Sequence, residues 1–563
     1  MKVSKYIIAT ILFSNILCGC NDNLEITPPS SIIPEDYLTE ESQLDSYIIN
    51  RYTALPNSGG GVGLDNGTDN EAGMSYSSRY TEDDWKVGET GGDWNFEEIY
   101  QLNYFLERVL PLYKEGKIQG TKENIEHYIG EAYFLRALAF YNKLVSLGDF
   151  PIIRRTYVDD MQLLIDASKR MPRNEVARFI ISDLDSAAML LKSSSPDGRK
   201  NRMYKDIAYL MKSRVALFEG TWLKYFKGTA FVPNGEGWPG ATRDYNQGYE
   251  YPSGSIDNEI QWFLDQAIES ADLIASKYTL TDNTGVLMQG VGDSNPYVEQ
   301  FSALDMSGYD EILLWRDFDF GKGIVNNRAV DAGTTCTAIG LTRSMVQSYL
   351  MNDGLPYYAS PLYQGDNSSE SIVENRDDRI PLFMKQPGMI NIWLNVGQGT
   401  HGVPVEPELP NITTGVAQLR NNTGYLSRKY WYWDHAYCNN WQGETGVHIF
   451  RAAEAYLNYI EAYYERFGRL DGKADQYWKA LRRRAHIDED YNKTIQATDM
   501  RKEAELDWAA YSGGKILNDA TLFNIRRERR NELLSEGFRY TDLRRWRSMD
   551  QMLTRKYHIE GFK

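Results

Sequence analysis

FNIRRERRNELLSEGFRYTDLRRW, from Phe523 to Trp546, holds seven arginines in twenty-four residues of a chain whose formal net charge is -17. Two readings compete, a nucleic-acid patch and a structural helix. Glu528, Glu532 and Glu536 recur at intervals of four, and Arg526 and Arg530 do the same one face over. Mixed-sign pairs at this spacing stabilise a helix surface by roughly 0.2–0.5 kcal/mol each. Gly537 supplies a stop, and a further helical turn follows it. A phosphate-binding surface would offer its arginines without interleaved acids. Leu533, Leu534, Phe538, Leu543 and Trp546 add an apolar side. The stretch therefore reads as framework. Planar guanidinium groups suit partly buried, bidentate carboxylate pairs. Glu528, Glu532 and Glu536 are expected to pair with Arg526, Arg529, Arg530 and Arg539, inside the helix and with neighbouring helices.

Outward from that stretch, helical periodicity falls in two blocks. VHIFRAAEAYLNYIEAYYERFG (447–468) and KADQYWKALRRRAH (473–486) precede it. Far upstream, ENIEHYIGEAYFLRALAFYNKLVSLG (123–148) carries a broad apolar face and ends at Gly148, just before Pro151. NEVARFIISDLDSAAMLLK, opened by Asn174, follows, then YKDIAYLMKSRVALFEGTWLKYF and DNEIQWFLDQAIESADLIASK. Alanines alternate with large residues, at Ala132, Ala137 and Ala139 and at Ala452, Ala453, Ala455 and Ala462. That spacing lets paired helices approach closely. The fold class is mainly α, with tetratricopeptide-like stacked helix pairs, although the strict repeat consensus is absent. Helical blocks at about 95–280 and 447–550 flank a region of about 281–446 that is rich in Gly, Asn, Asp, Pro and aromatic residues. GEGWPGATRDYNQGYEYPSG (235–254) is a similar loop-like insertion between two helices. Long irregular segments in compact proteins are usually functional.

The N-terminus sets the compartment. MKVSKYIIATILFSNILCGC has a charged start and an apolar stretch too short to span a bilayer. Leu17-Cys18-Gly19-Cys20 closes it, similar to a bacterial lipobox with cleavage before Cys20 and lipid on that cysteine. Residues 1–19 are read as a signal peptide, 20–35 as a lipidated, Pro-rich tether and 36–563 as a single domain. The lipid would hold the protein to a membrane, and Asn21, Asp22, Asn23 and Glu25 after it resemble a surface-export signal of some Gram-negative lipoproteins. The remaining cysteines, Cys336 and Cys438, leave one disulfide open, but two isolated cysteines read more readily as buried free thiols. The acidic balance argues against nucleic acid as a partner.

Several stretches together resemble the SusD/RagB lipoproteins, the surface glycan-binding partners of SusC-type TonB-dependent transporters. GEAYFLRALAFYNKLVSLGDFPII (130–153) is similar to that family's helix and Gly-x-x-Pro turn, and PRNEV (172–176) to its Pro-Arg helix start. ENRDDRIPLFM (374–384) and GYLSRKYW (424–431) fit its middle segments. RAAEAYLNYIEAYYE, LRRRA and RRERRNELLSEGFRYTDLRRW fit its C-terminal signature. The resemblance implies a non-enzymatic, outer-membrane, cell-surface lipoprotein. Such a protein captures oligosaccharides and passes them to a SusC-like transporter. A peptide-binding, RagB-like lid subunit is the alternative, and a secreted glycoside hydrolase a more distant one.

The chain has no His-Glu-x-x-His, Gly-x-Ser-x-Gly, P-loop or Cys-x-x-Cys motif, and its six histidines are scattered. No catalytic residue, metal ligand or cofactor is therefore assigned. Aromatic residues make up 13% of the chain, which favours a sugar-binding surface: indole and phenol rings stack on a pyranose face while amides and charged groups bond its hydroxyl rim. The resemblance places such residues in three regions. Asp69, Arg79, Trp85, Trp94 and Asn95 come from the first, with Asn103 behind them as framework. Tyr309 and Trp315 come from SGYDEILLWRDFDF (307–320), and Trp393 from INIWLNVGQG (390–399). Trp478, Trp508 and Trp546 lie in helical runs and are assigned to the core.

Overall fold

The computed structural model describes residues 37–56, 63–73, 92–287, 294–333, 339–389, 394–395, 400–401, 420–553 and 559–561. Helices dominate them. After α1 (Glu41–Arg51), the first block comprises α2 (Glu97–Lys114), α3 (Lys122–Leu147), α4 (Arg173–Leu190), α5 (Lys205–Phe226) and α6 (Ile256–Ala275). The second comprises α7 (Ala453–Phe467), α8 (Gly472–Arg484), α9 (Ala520–Glu532) and the short α10 (Arg539–Arg545).

Each helix of the first block packs on the next, α2 on α3 through α5 on α6. The stack then continues without a break, because α6 packs on α7 and α7 on both α8 and α9. The two blocks are therefore one scaffold, and the loop-rich segment between them is an insertion in it. Small residues set the spacing. A Cβ on Gly220 of α5 would lie 3.1 Å from Leu264 Cδ2 and 3.2 Å from Phe263 Cβ of α6. Helix α3 ends as its sequence predicts, at Gly148 with φ +78°, where an L side chain would be strained.

Two boundaries differ from expectation. Val447–Arg451 is a strand, not the first turn of α7. It pairs antiparallel with Ile312–Arg316, so that Trp315 faces His448 in register. ILLWR is a continuous apolar run buried along almost its whole length, which suits a strand covered on both faces. Helix α9 begins at Ala520, where Asp519 accepts a hydrogen bond from the Leu522 amide at 3.0 Å, and ends at Glu532 rather than running on to Gly537. Leu533 and Leu534 turn into the interior, and positive φ at Ser535 (+59°) and Gly537 (+81°) takes the chain round into α10.

The arginine-rich stretch is buried on every side: each residue from Leu522 to Glu532 is in the interior. Its acids do not pair along the helix. Glu532 meets Arg451 at 2.7 Å, Arg484 at 2.6 Å and Arg379 at 3.2 Å. Glu528 takes Arg379 at 2.7 Å and the Trp478 indole N–H at 3.1 Å. Glu536 takes Lys429 and Arg451, at 2.6 and 2.7 Å. The arginines reach elsewhere in turn: Arg529 to Asp542, Arg530 to Asp507, and Arg539 to Asp69 and Asp507, all between 2.7 and 2.9 Å. The expectation of pairing within the helix is thus corrected; the partners come from the central insertion, β-strands and other helices. Burial alone would raise the Glu532 carboxyl, but the guanidinium groups of Arg484, Arg451 and Arg379 outweigh it and hold it at about 2.

Trp478, Trp508 and Trp546 are core residues, and Cys438 is a buried free thiol whose Sγ lies 3.4 Å from the Tyr432 carbonyl. Cys18, Cys20 and Cys336 lie outside the described residues.

Candidate ligand-binding face

The first loop before α2 and the C-terminal half of α3 meet at the surface. Asn95 Oδ1 accepts from the Glu97 amide at 2.8 Å and so opens α2, while its amide nitrogen keeps no partner among the described residues. Beside it lies an open depression of about 490 Å³. Asp93, Asn95 and Glu97 line one side, Asn142 and Lys143 of α3 another, and Thr53 and Ala54 a third. Lys143 Nζ donates to the Asp93 carbonyl at 2.6 Å and steadies that turn. The exposed amides and carboxylates are suited to donate to and accept from hydroxyl groups.

Trp94 stands between two of these lining residues in sequence and is 40% exposed. Its ring stacks on Phe150 (centroids 5.5 Å apart, 24° between planes) and carries the Arg170 guanidinium at 4.5 Å. Trp94 is thus held rigidly while part of its surface stays open. Phe150 is anchored in turn by Phe96 and Phe140. Trp94 adjoins Asn95 in the chain, but only Asn95 lines the depression; the indole faces Phe150 and Arg170 instead.

The other candidates separate. Asp69 is buried and its carboxylate is saturated: Arg539 holds both oxygens at 2.8 and 2.7 Å, and the Trp508 amide donates to Oδ2 at 2.9 Å. No ligand reaches it, so Asp69 is framework. Trp315 is likewise removed from the candidate surface. It is 1% exposed, packs with Met306 and Ile312, and donates its indole N–H to the Arg199 carbonyl at 2.5 Å. A strand residue alternates between faces that here are both covered, which the loop reading of this segment missed. Tyr309 is half-buried against the same cluster, and burial pushes its hydroxyl up to about 12. It does not line the depression beside Asn95. Asn103 is buried, donating to Ile153 and accepting from Arg136, as a framework residue should. Arg79, Trp85 and Trp393 lie outside the described residues.

Two residues near the depression escaped the sequence reading. Arg316, at the end of the strand that holds Trp315, donates to the Tyr52 carbonyl at 3.2 Å, next to Thr53 on the rim. Burial lowers its pKa, and it has no carboxylate partner among the described residues. Lys143 is hidden in a helical run, where only the end of the helix marks it as something other than a solvated face.

A family model described as the SusD family matches residues 315–562, and one described as starch-binding and associating with the outer membrane matches residues 22–217. The chain belongs to the SusD family. Among curated SusD-like relatives, protein P25 of Formosa agariphila is 24% identical over 247 residues, which cover 39% of this chain and 44% of that one. Protein P2 of the same organism is 25% identical, over 42% of this chain and 47% of its own. The chain thus spans less than half the length of the curated relatives it matches. Among solved structures, a SusD-like protein from Bacteroides fragilis superposes with a TM-score of 0.59 at 18% identity, covering 93% of this chain and 90% of that one. A SusD-like carbohydrate-binding protein from the same species has a TM-score of 0.59 at 16% identity, covering 93% and 89%. At such identities the likeness concerns the SusD fold. No helix among the described residues is long and apolar enough to cross a membrane.

Proposed function

We propose that the protein captures oligosaccharides at the cell surface and delivers them to a SusC-type TonB-dependent transporter, without cleaving them. The observation that carries this reading is Trp94, a rigidly backed, partly open indole whose chain neighbours Asp93 and Asn95 line a depression with Asn142 and Lys143. An indole face covers the C–H face of a pyranose, and the amides and charged groups bond its hydroxyls. The family's starch-binding, outer-membrane description and the carbohydrate-binding relative support the ligand class. Attachment is through lipid on Cys20, so Cys20→Ala should move the protein out of the membrane fraction.

The test is calorimetric titration of the purified soluble chain against a panel of neutral oligosaccharides, beginning with α-glucans, followed by long incubation and product analysis. Micromolar affinity, about -8 kcal/mol, with intact sugar is expected. Released product would overturn the non-enzymatic reading. Absence of binding across the panel would overturn the ligand class.

A further inference from the structure

A second cavity, of about 550 Å³, opens on the far side of Arg170. The last turn of α3 and the following loop supply one wall, α4 and α5 the floor, and the insertion at 228–255 the other wall. This size is ordinary for a small-molecule site. Its walls are preformed. Trp238 is 3% exposed, donates to Asp149 at 2.7 Å, and packs so tightly on Gly240 that a Cβ there would lie 2.1 Å from the indole.

Its lining is basic, in a chain of formal net charge -17. Four arginines line it, Arg170, Arg173, Arg243 and Arg544, against a single carboxylate, Asp149. Arg173 is neutralised by buried Glu219 at 2.8 Å. Asp149 already accepts from the Trp238 indole and from the Arg173 amide, at 2.7 and 2.9 Å. Arg170 and Arg243 are exposed and make no ion pair or side-chain hydrogen bond among the described residues. Two exposed rings stand with them: Phe231 is 60% and Tyr245 38% exposed.

We infer that this cavity is a second saccharide subsite, selective for a sugar bearing an anionic group, a uronate carboxylate or a sulfate ester, held by Arg170 and Arg243 against Phe231 and Tyr245. A guanidinium group pairs with either anion through two parallel N–H···O bonds, while exposed rings take the apolar face of the sugar. Arg170, at the boundary of the cavity, also lies on the Trp94 ring at 4.5 Å. The inference rests on the glycan reading above for the saccharide class of its ligand.

The test titrates the soluble chain with an oligogalacturonate, a sulfated galactan oligosaccharide and a neutral oligosaccharide of equal length. At least one acidic probe should bind more tightly than the neutral one, and its affinity should fall with added salt. The carboxylate and sulfate arms decide which anion is preferred. Arg243→Gln, which does not touch Trp94, should weaken the acidic probe about tenfold, as expected for loss of a charge-assisted bond, and leave the neutral probe unchanged. Arg170→Gln provides a second variant at the boundary. The proposal is overturned if neither acidic probe exceeds the neutral one, if Arg243→Gln leaves acidic binding intact, or if an acidic peptide binds where the acidic sugars do not. Loss of neutral binding with acidic binding retained would instead count against the Trp94 depression and leave this subsite standing.

Discussion

The arginines around α9 and those lining the second cavity are chemically identical and do opposite work. Around α9 the guanidinium groups are buried and matched: Arg451 meets Glu311, Glu532 and Glu536, each at 2.7 Å. At the second cavity Arg170 and Arg243 are exposed and without a carboxylate partner among the described residues. The aromatic residues divide the same way. Trp315 and Trp546 spend their rings on packing and their N–H groups on internal acceptors, whereas Trp94 is packed on Phe150 and still open to solvent. A residue type therefore says little about role; saturation of its bonding capacity says a good deal.

The strongest test of this contrast removes a matched charge. Glu532→Ala leaves Arg451, Arg484 and Arg379 each short of a buried partner. Breaking a buried network in this way costs on the order of 3–5 kcal/mol. Denaturant unfolding should show that loss, with sugar affinity of the still-folded fraction unchanged. Unaltered stability with lost binding would make α9 part of a site. Trp315→Ala should cost a comparable amount, about 3–5 kcal/mol, through the cavity it leaves in the β-strand cluster. If Trp315→Ala instead spared stability and removed sugar binding, its assignment to the interior would be reversed.

A buried acid offers a finer test, because it is matched to another acid. Glu71 lies against Asp65; burial first, and the Asp65 charge second, push its carboxyl from 4.5 up to about 8. The folded state keeps this proton where the unfolded chain releases it. Its contribution to stability is therefore complete below about pH 4.5 and is lost as pH rises through about 8. Glu532 and Asp507 act in the opposite sense. Burial opposes their ionisation, but surrounding arginines hold both at about 2, so their contribution exists above the ordinary carboxylate range and is lost as pH falls toward 2. Thermal melts should show greatest stability in mild acid. Glu71→Gln, able to keep bonds to Ser535 and the Asp65 amide, should flatten the decline on the alkaline side. An unchanged alkaline slope would show that Glu71 is ionised in the fold.

Much of the scaffold is legible in the sequence, because helical periodicity, alanine spacing and Gly148 are local signals. The framework role of the arginine-rich stretch is legible too, since acids are interleaved with it. The partners of those acids are not: Arg379 and Arg451 lie far away in sequence, and only the folded chain delivers them. Asp69 and Trp315 were read as surface residues because loop-like neighbours surround them. Yet Asp69 is claimed by Arg539, and Trp315 by a strand pairing with Val447–Arg451 that no local pattern announces. The second cavity was half visible. Its Gly- and aromatic-rich insertion stands out, but Arg170 and Arg243 come from separate segments and gain meaning only side by side.

The smallest expected effect concerns the open ring itself. Trp94→Ala removes one stacking face, worth roughly 0.5–1.5 kcal/mol beyond the area buried, so affinity for a neutral oligosaccharide should fall about two- to tenfold. Stability should change little by comparison with Trp315→Ala, because the ring is 40% exposed, although its stack on Phe150 contributes something. Asn95→Ala separates the two parts of the site. Asn95 Oδ1 accepts from the Glu97 amide in the turn that leads into α2, just before its N-cap Phe96, and loss of such a hydrogen bond costs about 1 kcal/mol of stability. Asn95→Asp keeps the accepting oxygen, removes the amide donor and adds a negative charge beside Asp93 and Glu97. If that amide bonds a sugar hydroxyl, Asn95→Asp should weaken binding while the fold holds; equal affinity in Asn95→Asp and the wild type would confine Asn95 to shaping the turn before α2 and leave Trp94 as the sugar contact of this loop.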